Sequence, residues 1–379
     1  MKVGIWGYYG FDNLGDDLIL DVLIGWLLEI DNKIEPYTFI KKESSEEILQ
    51  KHNIANQKSR SVKTALRFAI LEADAFVIGG GGIFPAWTYT RLLFYNAIAI
   101  IMKARRKPCI CIGVGVEEKN LTKKVNRIFL SALVSNASVF TIRELALRND
   151  QTIKPLNCEK EIIPTADMVF SRKIVPTQKQ NNRFNIFLAD VFDIFRDLDQ
   201  ENFNAEITKV INEIVAKGYE VYLIPFTNQK DQRFSEQILK RVHSPHCHSV
   251  TYSKNVDEMM AEIGKARFAL CMRFHGIVTS ALYNIPVCSI SYGDKSTKLM
   301  ERLGIKDFDI PFGDNTGAEA KRIELSAENI MAHVDEMIAS ERTLKEQLEI
   351  SVSKMKKESA ENYAILKTHL RNLEHESFN

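Results

Sequence analysis

The residues best suited to chemistry form one short run, Arg273, Phe274 and His275, followed at once by Gly276. Arginine offers a planar fork of N–H donors that matches a phosphate or a carboxylate. The run follows the apolar stretch FALCM and precedes GIVTSALYN, so it lies where a buried strand hands over to a helix. A helix start adds backbone N–H groups and positive potential, which makes the junction an anion site. His275 beside it is placed to donate a proton. A histidine at a helix start is more often structural, and the neighbouring arginine is what favours the chemical role.

A second polar group, Asp12, Asn13, Asp16 and Asp17, occupies the loop after the first apolar stretch. Asp16 and Asp17 suit the start of the helix that follows. Asp12, Asn13 and Asp16 together also suit the binding of sugar hydroxyls, with a carboxylate as general base. Gly7, Gly10 and Gly15 punctuate the same region, and Gly79–Gly82 form an unbroken run. The spacing GxxGxxxxG is not the dinucleotide fingerprint, and no Walker A lysine follows a glycine loop. Neither NAD nor P-loop ATP binding is expected. A lone glycine at a strand end is often only turn geometry. Four in a row suggest backbone brought close to a ligand, which makes Gly80 and Gly81 acceptor-binding candidates. The segment HSPHCH, 243–248, lacks structural zinc spacing, and no metal is expected.

These groups need a frame, and the hydrophobic pattern supplies one. Short apolar runs alternate with helical periodicity: KVGIW, FVIG, CICIGVGV and SVFTIR, then FNIFLA, YEVYLIPF, RFALCM and PVCSISY. Such alternation means parallel sheets covered on both faces. The expectation is an α/β protein with two Rossmann-like domains, 1–175 and 184–325. The polar segment SRKIVPTQKQNNRF, 171–184, reads as the linker, and a helix is expected from Glu144 onward. In such sheets ligands sit at the carboxyl ends of the strands. A cleft between 1–170 and 184–325 is therefore the expected site, with the loops at Asp12–Asp16 and Gly79–Gly82 facing Arg273 and His275. Residues 326–375 contain neither Pro nor Gly and carry Leu344, Leu348, Val352 and Met355 at helical spacing. The segment 326–379 is expected to pack back on the N-terminal domain, with Tyr363, Leu366 and Leu370 continuing the contact. The competing reading is a coiled coil.

Hydrophobic residues make up 45% of the 379 and charged residues 26%, the balance of a folded protein. Lys+Arg number 50 against 49 for Asp+Glu, so net charge gives no reason to expect nucleic acid as a partner. The six cysteines show no CxxC spacing and sit largely in apolar runs, as core residues of a reducing compartment. MKVGIWGYYG has no signal-peptide character, and the longest apolar stretch, Leu92–Met102, falls short of the ~20 residues that span a bilayer. A cytoplasmic protein is expected. Lys103, Arg105, Arg106 and Lys107 end the helix over 91–107. They either complement its dipole, the favoured reading, or give peripheral contact with anionic lipid at the inner face of a membrane.

Taken in order, these segments resemble the polysaccharide pyruvyl transferase family. GIWGYYGFDNLGDDLIL resembles its N-terminal signature and VIGGGGIF its second glycine segment. TIRE, 141–144, resembles its Arg-acidic pair, and MRFHGIVTSALYNIPVCSISYGDKSTKLMERLGI, 272–305, its longest signature. The resemblance implies two Rossmann-like domains arranged as in GT-B glycosyltransferases. It also implies transfer of the pyruvyl group of phosphoenolpyruvate onto two hydroxyls of one sugar, forming a cyclic ketal. On that reading Arg273, His275, Gly276 and Lys295 hold phosphoenolpyruvate, with His275 as acid. Asp12 or Asp16 acts as base, and Asn13, Asp16, Gly80 and Gly81 bind the acceptor, which is carried on a lipid, on a nucleotide or free. Phosphoenolpyruvate is the donor, so no cofactor is implied, and the oligomeric state is left open. Two positions depart from the family pattern. Phe226 and Thr227 stand where a histidine is common. Asp190 stands where a basic residue is common, with Arg196 nearby to replace it. The alternatives are a GT-B glycosyltransferase using a nucleotide-sugar and a non-catalytic sugar- or phosphate-binding protein.

Overall fold

The computed structural model describes the chain except residues 41–45, 56, 85–88, 117–120, 122, 144–159, 196–197, 315–320, 323–324 and 377–379. The helix expected from Glu144, and Arg196, lie outside the described residues.

The chain divides into two units, Met1–Arg172 with Met355–Asn379, and Lys173–Lys354. In the first, β1 (Lys2–Trp6), α1 (Leu14–Ile30), β2 (Glu35–Ile40), α2 (Glu46–Lys51), β3 (Gln57–Ser59), α3 (Val62–Leu71) and β4 (Ala75–Phe84) come in order. They are followed by α4 (Tyr89–Ala104), β5 (Cys109–Val116), α5 (Lys124–Asn136), β6 (Val139–Ile142) and β7 (Ile163–Pro164). The sheet order is β3-β2-β1-β4-β5-β6-β7, parallel throughout.

The second unit contains β8 (Arg183–Phe187), α6 (Gln200–Ala216), β9 (Glu220–Leu223), α7 (Lys230–Val242), β10 (Cys247–Ser249), α8 (Val256–Gly264), β11 (Phe268–Cys271) and α9 (Phe274–Leu282). Then come β12 (Val287–Ser291), α10 (Asp294–Arg302), β13 (Asp309–Pro311) and α11 (Ala327–Ala339). Its sheet order is β10-β9-β8-β11-β12-β13, again parallel. Both sheets change direction between their first and fourth strands. That switch point is where an open α/β sheet parts its loops and admits a ligand. It lies between β1 and β4 in one unit, and between β8 and β11 in the other.

The final helix, α12 (Glu341–Glu376), is continuous across the boundary between the units. The segment expected to pack on the N-terminal domain as one piece therefore divides at Met355. Before it, Arg267 of the second unit clamps Glu341, and Gln347 and Ser351 donate to the Leu303 carbonyl at 3.1 and 2.8 Å. After it, the buried Asn362 accepts from the Thr141 and Thr165 hydroxyls at 2.7 and 3.1 Å and donates to the Ala166 carbonyl at 3.0 Å. Leu366 and Leu370 are buried beside it in sequence. The expected linker is also tied down. The Val175 backbone exchanges two hydrogen bonds with the Tyr283 hydroxyl, and Lys179 donates to the Ala266 and Tyr283 carbonyls.

Asp21, on the buried face of α1, accepts from Lys51 at 3.1 Å and Arg172 at 3.1 Å and pairs with His52 at 2.8 Å. Burial opposes its charge, but the His52 hydrogen bond, Arg172 and Lys51 bring its pKa down to about 2. A carboxylate held below its ordinary value of 3.8 stabilises the fold fully above that value. The stabilisation is lost as pH falls through about 2. Acid unfolding of the wild type should therefore steepen between these limits, and Asp21→Asn should flatten it, as followed by circular dichroism. Asn362→Ala should cost about 2–3 kcal/mol by leaving buried hydroxyls unmatched, and a fall in urea midpoint measures it. An unchanged midpoint would mean that α12 does not dock through Asn362.

Candidate functional site

In the second unit the switch point is built around a buried carboxylate. Asp231, near the start of α7, has no exposed side-chain surface. Its Oδ2 accepts from the Thr227 N–H at 3.1 Å and from Arg273 Nε at 2.9 Å. Its Oδ1 accepts from Arg273 Nη2 and from the Asp190 N–H. The bidentate edge of Arg273 is thus occupied within the protein. The arginine is 22% exposed, and its Nη1 points to the Tyr292 hydroxyl at 3.5 Å. Burial disfavours its charge, but Tyr292 and Asp231 outweigh burial and hold the guanidinium protonated beyond its usual range.

The two departures from the family pattern meet on this carboxylate. Thr227 donates its N–H to Asp231 and accepts the Asp231 N–H on its hydroxyl at 3.1 Å. Asp190 supplies a second N–H. Phe226 is buried edge-on against Phe187, with ring centroids 5.4 Å apart.

The other expected groups of this unit lie at the starts of α9 and α10. Arg273 occupies the N-cap position of α9 without a side-chain capping bond. His275, half-buried, lies in the first turn with its ring edge-on to Phe274 at 5.2 Å. Gly276 is buried, and a Cβ there would come within 3.2 Å of the Phe187 ring. It brings α9 close to β8, which is a packing role. Helix α10 also begins without a side-chain cap, at Gly293. Lys295 sits in its first turn, half-buried and with no ion-pair partner among the described residues. Lys230, which neighbours Asp231 in α7, pairs with Asp193.

In the first unit, Asn13 caps α1 by accepting from the Gly15 N–H at 3.2 Å, and Asp16 and Asp17 lie in the first turn. Asp16 is buried. The half-buried Asp12 takes a left-handed backbone with φ 50°, a conformation aspartate tolerates better than most residues. The glycine run belongs to β4 and is part of a register shift against β5. Gly80 and Gly81 have φ +70° and +80°. A Cβ on Gly80 would strike Ile19 at 2.0 Å, and one on Gly81 would strike Asp16 at 2.5 Å. Their glycine character is thus accounted for by the protein's own packing against α1. Gly82 alone is exposed.

Arg60 and Tyr9 escaped the sequence reading, and Arg143 entered it only as part of TIRE. Arg60, just before α3, donates to the carbonyls of Gly7 at 2.7 Å and Phe39 at 3.0 Å, and stacks over Trp6 and Phe11. Tyr9 donates to the Gly79 carbonyl. Burial, then the Asp16 charge, pushes its hydroxyl far above the usual range. Arg143 finds its acid in Asp167, at 2.6 Å, a buried pair joined across the sequence. Nothing in local spacing marks these partners. The HSPHCH histidines have a structural use, since His246 and His248 both grip Glu220 at 2.7 Å. No cluster able to hold a metal ion occurs among the described residues.

No curated protein matches the chain. Solved structures of similar fold include S. aureus MnaA with UDP, at 13% identity over 92% of this chain and 90% of that one, TM-score 0.57. UDP-GlcNAc 2-epimerase from Neisseria meningitidis bound to UDP-GlcNAc follows at 13% identity over 98% and 100%, TM-score 0.58. A ugt transferase from Siraitia grosvenorii in complex with UDP reaches 8% over 98% and 99%, TM-score 0.57. At such identities the likeness establishes the fold, two Rossmann-like units of GT-B type. The profile of the polysaccharide pyruvyl transferase family matches residues 13–294, from the cap of α1 to the start of α10, just short of Lys295. That span takes in most of both units, and on it the chain belongs to the polysaccharide pyruvyl transferase family.

Proposed function

We propose that the protein is a ketal pyruvyltransferase that moves the pyruvyl group of phosphoenolpyruvate onto two hydroxyls of a sugar in glycan biosynthesis. The observation that carries this reading is Arg273. It is locked by Asp231 on one edge, turns Nη1 toward Tyr292 at 3.5 Å, and stands at the uncapped start of α9 beside His275. That edge, Lys295 and the helix start supply positive potential for the phosphate and carboxylate of the donor. His275 gives a proton to the methylene carbon of the enol phosphate, and C2 becomes electrophilic. One sugar hydroxyl adds to C2 and yields its proton to a base. The C2–O bond to phosphate breaks, and phosphate leaves. The second hydroxyl then closes the ketal, its proton leaving with the phosphate. Asp12 is the better base candidate on the first unit. Asp16 is buried against Gly81, whereas Asp12 is half-buried and in a left-handed backbone, a conformation that collects at functional sites.

The fold relatives crystallised with UDP or a UDP-sugar make a nucleotide-linked sugar one acceptor to test. Protein is incubated with phosphoenolpyruvate and free, nucleotide-linked or lipid-linked sugars, and released phosphate and acceptor mass are measured. Phosphate release matched by a gain of one pyruvyl group is the expected result. Consumption of a nucleotide-sugar without phosphoenolpyruvate would instead make the protein a glycosyltransferase, and binding without turnover would make it a sensor. His275→Ala should reduce kcat by about 10²–10⁴-fold, the usual worth of a general acid. Near wild-type activity would remove His275 from the mechanism. Asp231→Asn should raise KM for phosphoenolpyruvate by about tenfold or more, because a misplaced binding group loses its geometry. An unchanged KM would show that Arg273 does not depend on its buried partner.

A further inference from the structure

The outer face of α3, α4 and α5 has a composition that a water-facing layer does not call for. With sheet order β3-β2-β1-β4-β5-β6, right-handed crossovers place these three helices on one side of the first sheet. They share one core: Phe68 and Ala69 of α3, Leu92 and Ile98 of α4, and Leu130 and Leu133 of α5 belong to the same buried cluster. Their opposite faces should be polar. Instead α3 exposes Val62, Ile70 and Leu71, α4 exposes Tyr89, Leu93 and Ile100, and α5 exposes Val125 and Ile128. Among the described residues, large exposed apolar side chains elsewhere are confined to Ile174, Ile194 and Ile350. Single exposed apolar residues need no explanation, whereas a contiguous group marks a contact surface. Along α3 the surface forms an open hollow of about 600 Å³ lined by Val62, Lys63, Leu66, Arg67, Ile70 and Leu71.

Charge then selects the partner. The chain as a whole balances its charges, yet α3, α4 and α5 contain no acidic residue. They carry Lys63 and Arg67, Arg91 and Lys103, and Lys124 and Arg127. Lys63, Arg67, Lys103 and Lys124 are exposed, and so are Arg106 and Lys123 at the helix ends. In sequence the nearest carboxylates are Glu72 and Asp74 after α3 and Glu117 and Glu118 before α5. Asp74 is held by Lys107 at 3.4 Å and by the Lys2 N–H at 2.8 Å. No described helix is long and apolar enough to cross a bilayer. Apolar side chains interleaved with bases, on helices that contain no acidic residue, suit an anionic lipid surface, where the bases meet headgroups and the apolar groups reach the acyl boundary. Nucleic acid would engage the bases but leave the isoleucines and leucines in water.

We infer that the α3–α5 face of the first unit is a peripheral membrane surface that binds bilayers containing anionic lipid. The inference stands apart from the reading of the reaction, because its test measures binding alone. Full-length protein is pelleted with vesicles of phosphatidylcholine, or of equimolar phosphatidylcholine and phosphatidylglycerol. Pelleting should require phosphatidylglycerol and should fall on raising NaCl to about 0.5 M, where screening shortens to a few ångström. The double variant Lys63→Glu/Arg67→Glu should bind at least about tenfold more weakly, given roughly 1 kcal/mol per basic residue at such a surface. Ile70→Ser/Leu71→Ser should weaken binding while salt sensitivity persists. All four positions are exposed, and an unchanged melting curve confirms that each variant is folded. Absence of pelleting with anionic vesicles at low salt overturns the inference, as does pelleting that neither pair of substitutions alters. A dimer that Ile70→Ser/Leu71→Ser dissociates, without vesicle binding by the wild type, would assign the face to a second copy of the chain.

Discussion

The second unit's site depends on one buried charge. A carboxylate without exposed surface is tolerable only when its oxygens are matched, and Asp231 is matched by two backbone N–H groups and the Arg273 fork. The match works in both directions. Asp231 keeps Arg273 charged and fixes its plane, so the direction of Nη1 is set by the start of α7 and not by the ligand. A cation aligned before binding loses little freedom when an anion arrives, which is how positioned charges stabilise a transition state. Replacing either partner would leave the other buried or misdirected, at a cost of several kcal/mol.

The first unit is tightened in a different way, through close backbone approach. At Gly80 and Gly81 the absence of a side chain admits Ile19 and Asp16 of α1 against β4. Tyr9 ties the following loop to the Gly79 carbonyl, and Arg60 gathers the carbonyls at the ends of β1 and β2. The loop after β1 is therefore held from three directions, and Asp12 sits within it in a left-handed backbone. The glycine run reads as ligand-facing in the sequence because sequence shows missing side chains and not what occupies their place.

The parallel sheets were legible in the sequence, since period and length distinguish buried strands from helices when Gly and Pro bound them. Strands β3 and β10 were not, because Gln57–Ser59 and Cys247–Ser249 are too short and polar to carry a pattern. Helix α3 was missed for a related reason. Its outward positions Val62, Ile70 and Leu71 are apolar, so the contrast that marks an amphipathic helix is blurred. Within the site, Arg273 and His275 could be found because strand, charge and helix follow one another along the chain. Asp231 could not. It begins a polar helix in KDQRFSEQ and looks like ordinary dipole complementation until the fold brings it to Arg273.

A shared frame leaves the chemistry to individual residues. A fold of this kind recurs in proteins only 8–13% identical to this chain, so the frame does not by itself decide what is done to a ligand. Position 227 shows how the difference arises. The family resemblance expects a histidine in this stretch, at Phe226 or Thr227, a group that carries charge and exchanges protons. Thr227 does neither, and its N–H and hydroxyl are both spent on Asp231. Whatever that position contributes to an anion therefore passes through Asp231 and Arg273, as alignment of a permanent cation. On the proposed reaction, proton delivery falls to His275, next but one in sequence to the arginine whose charge does not change.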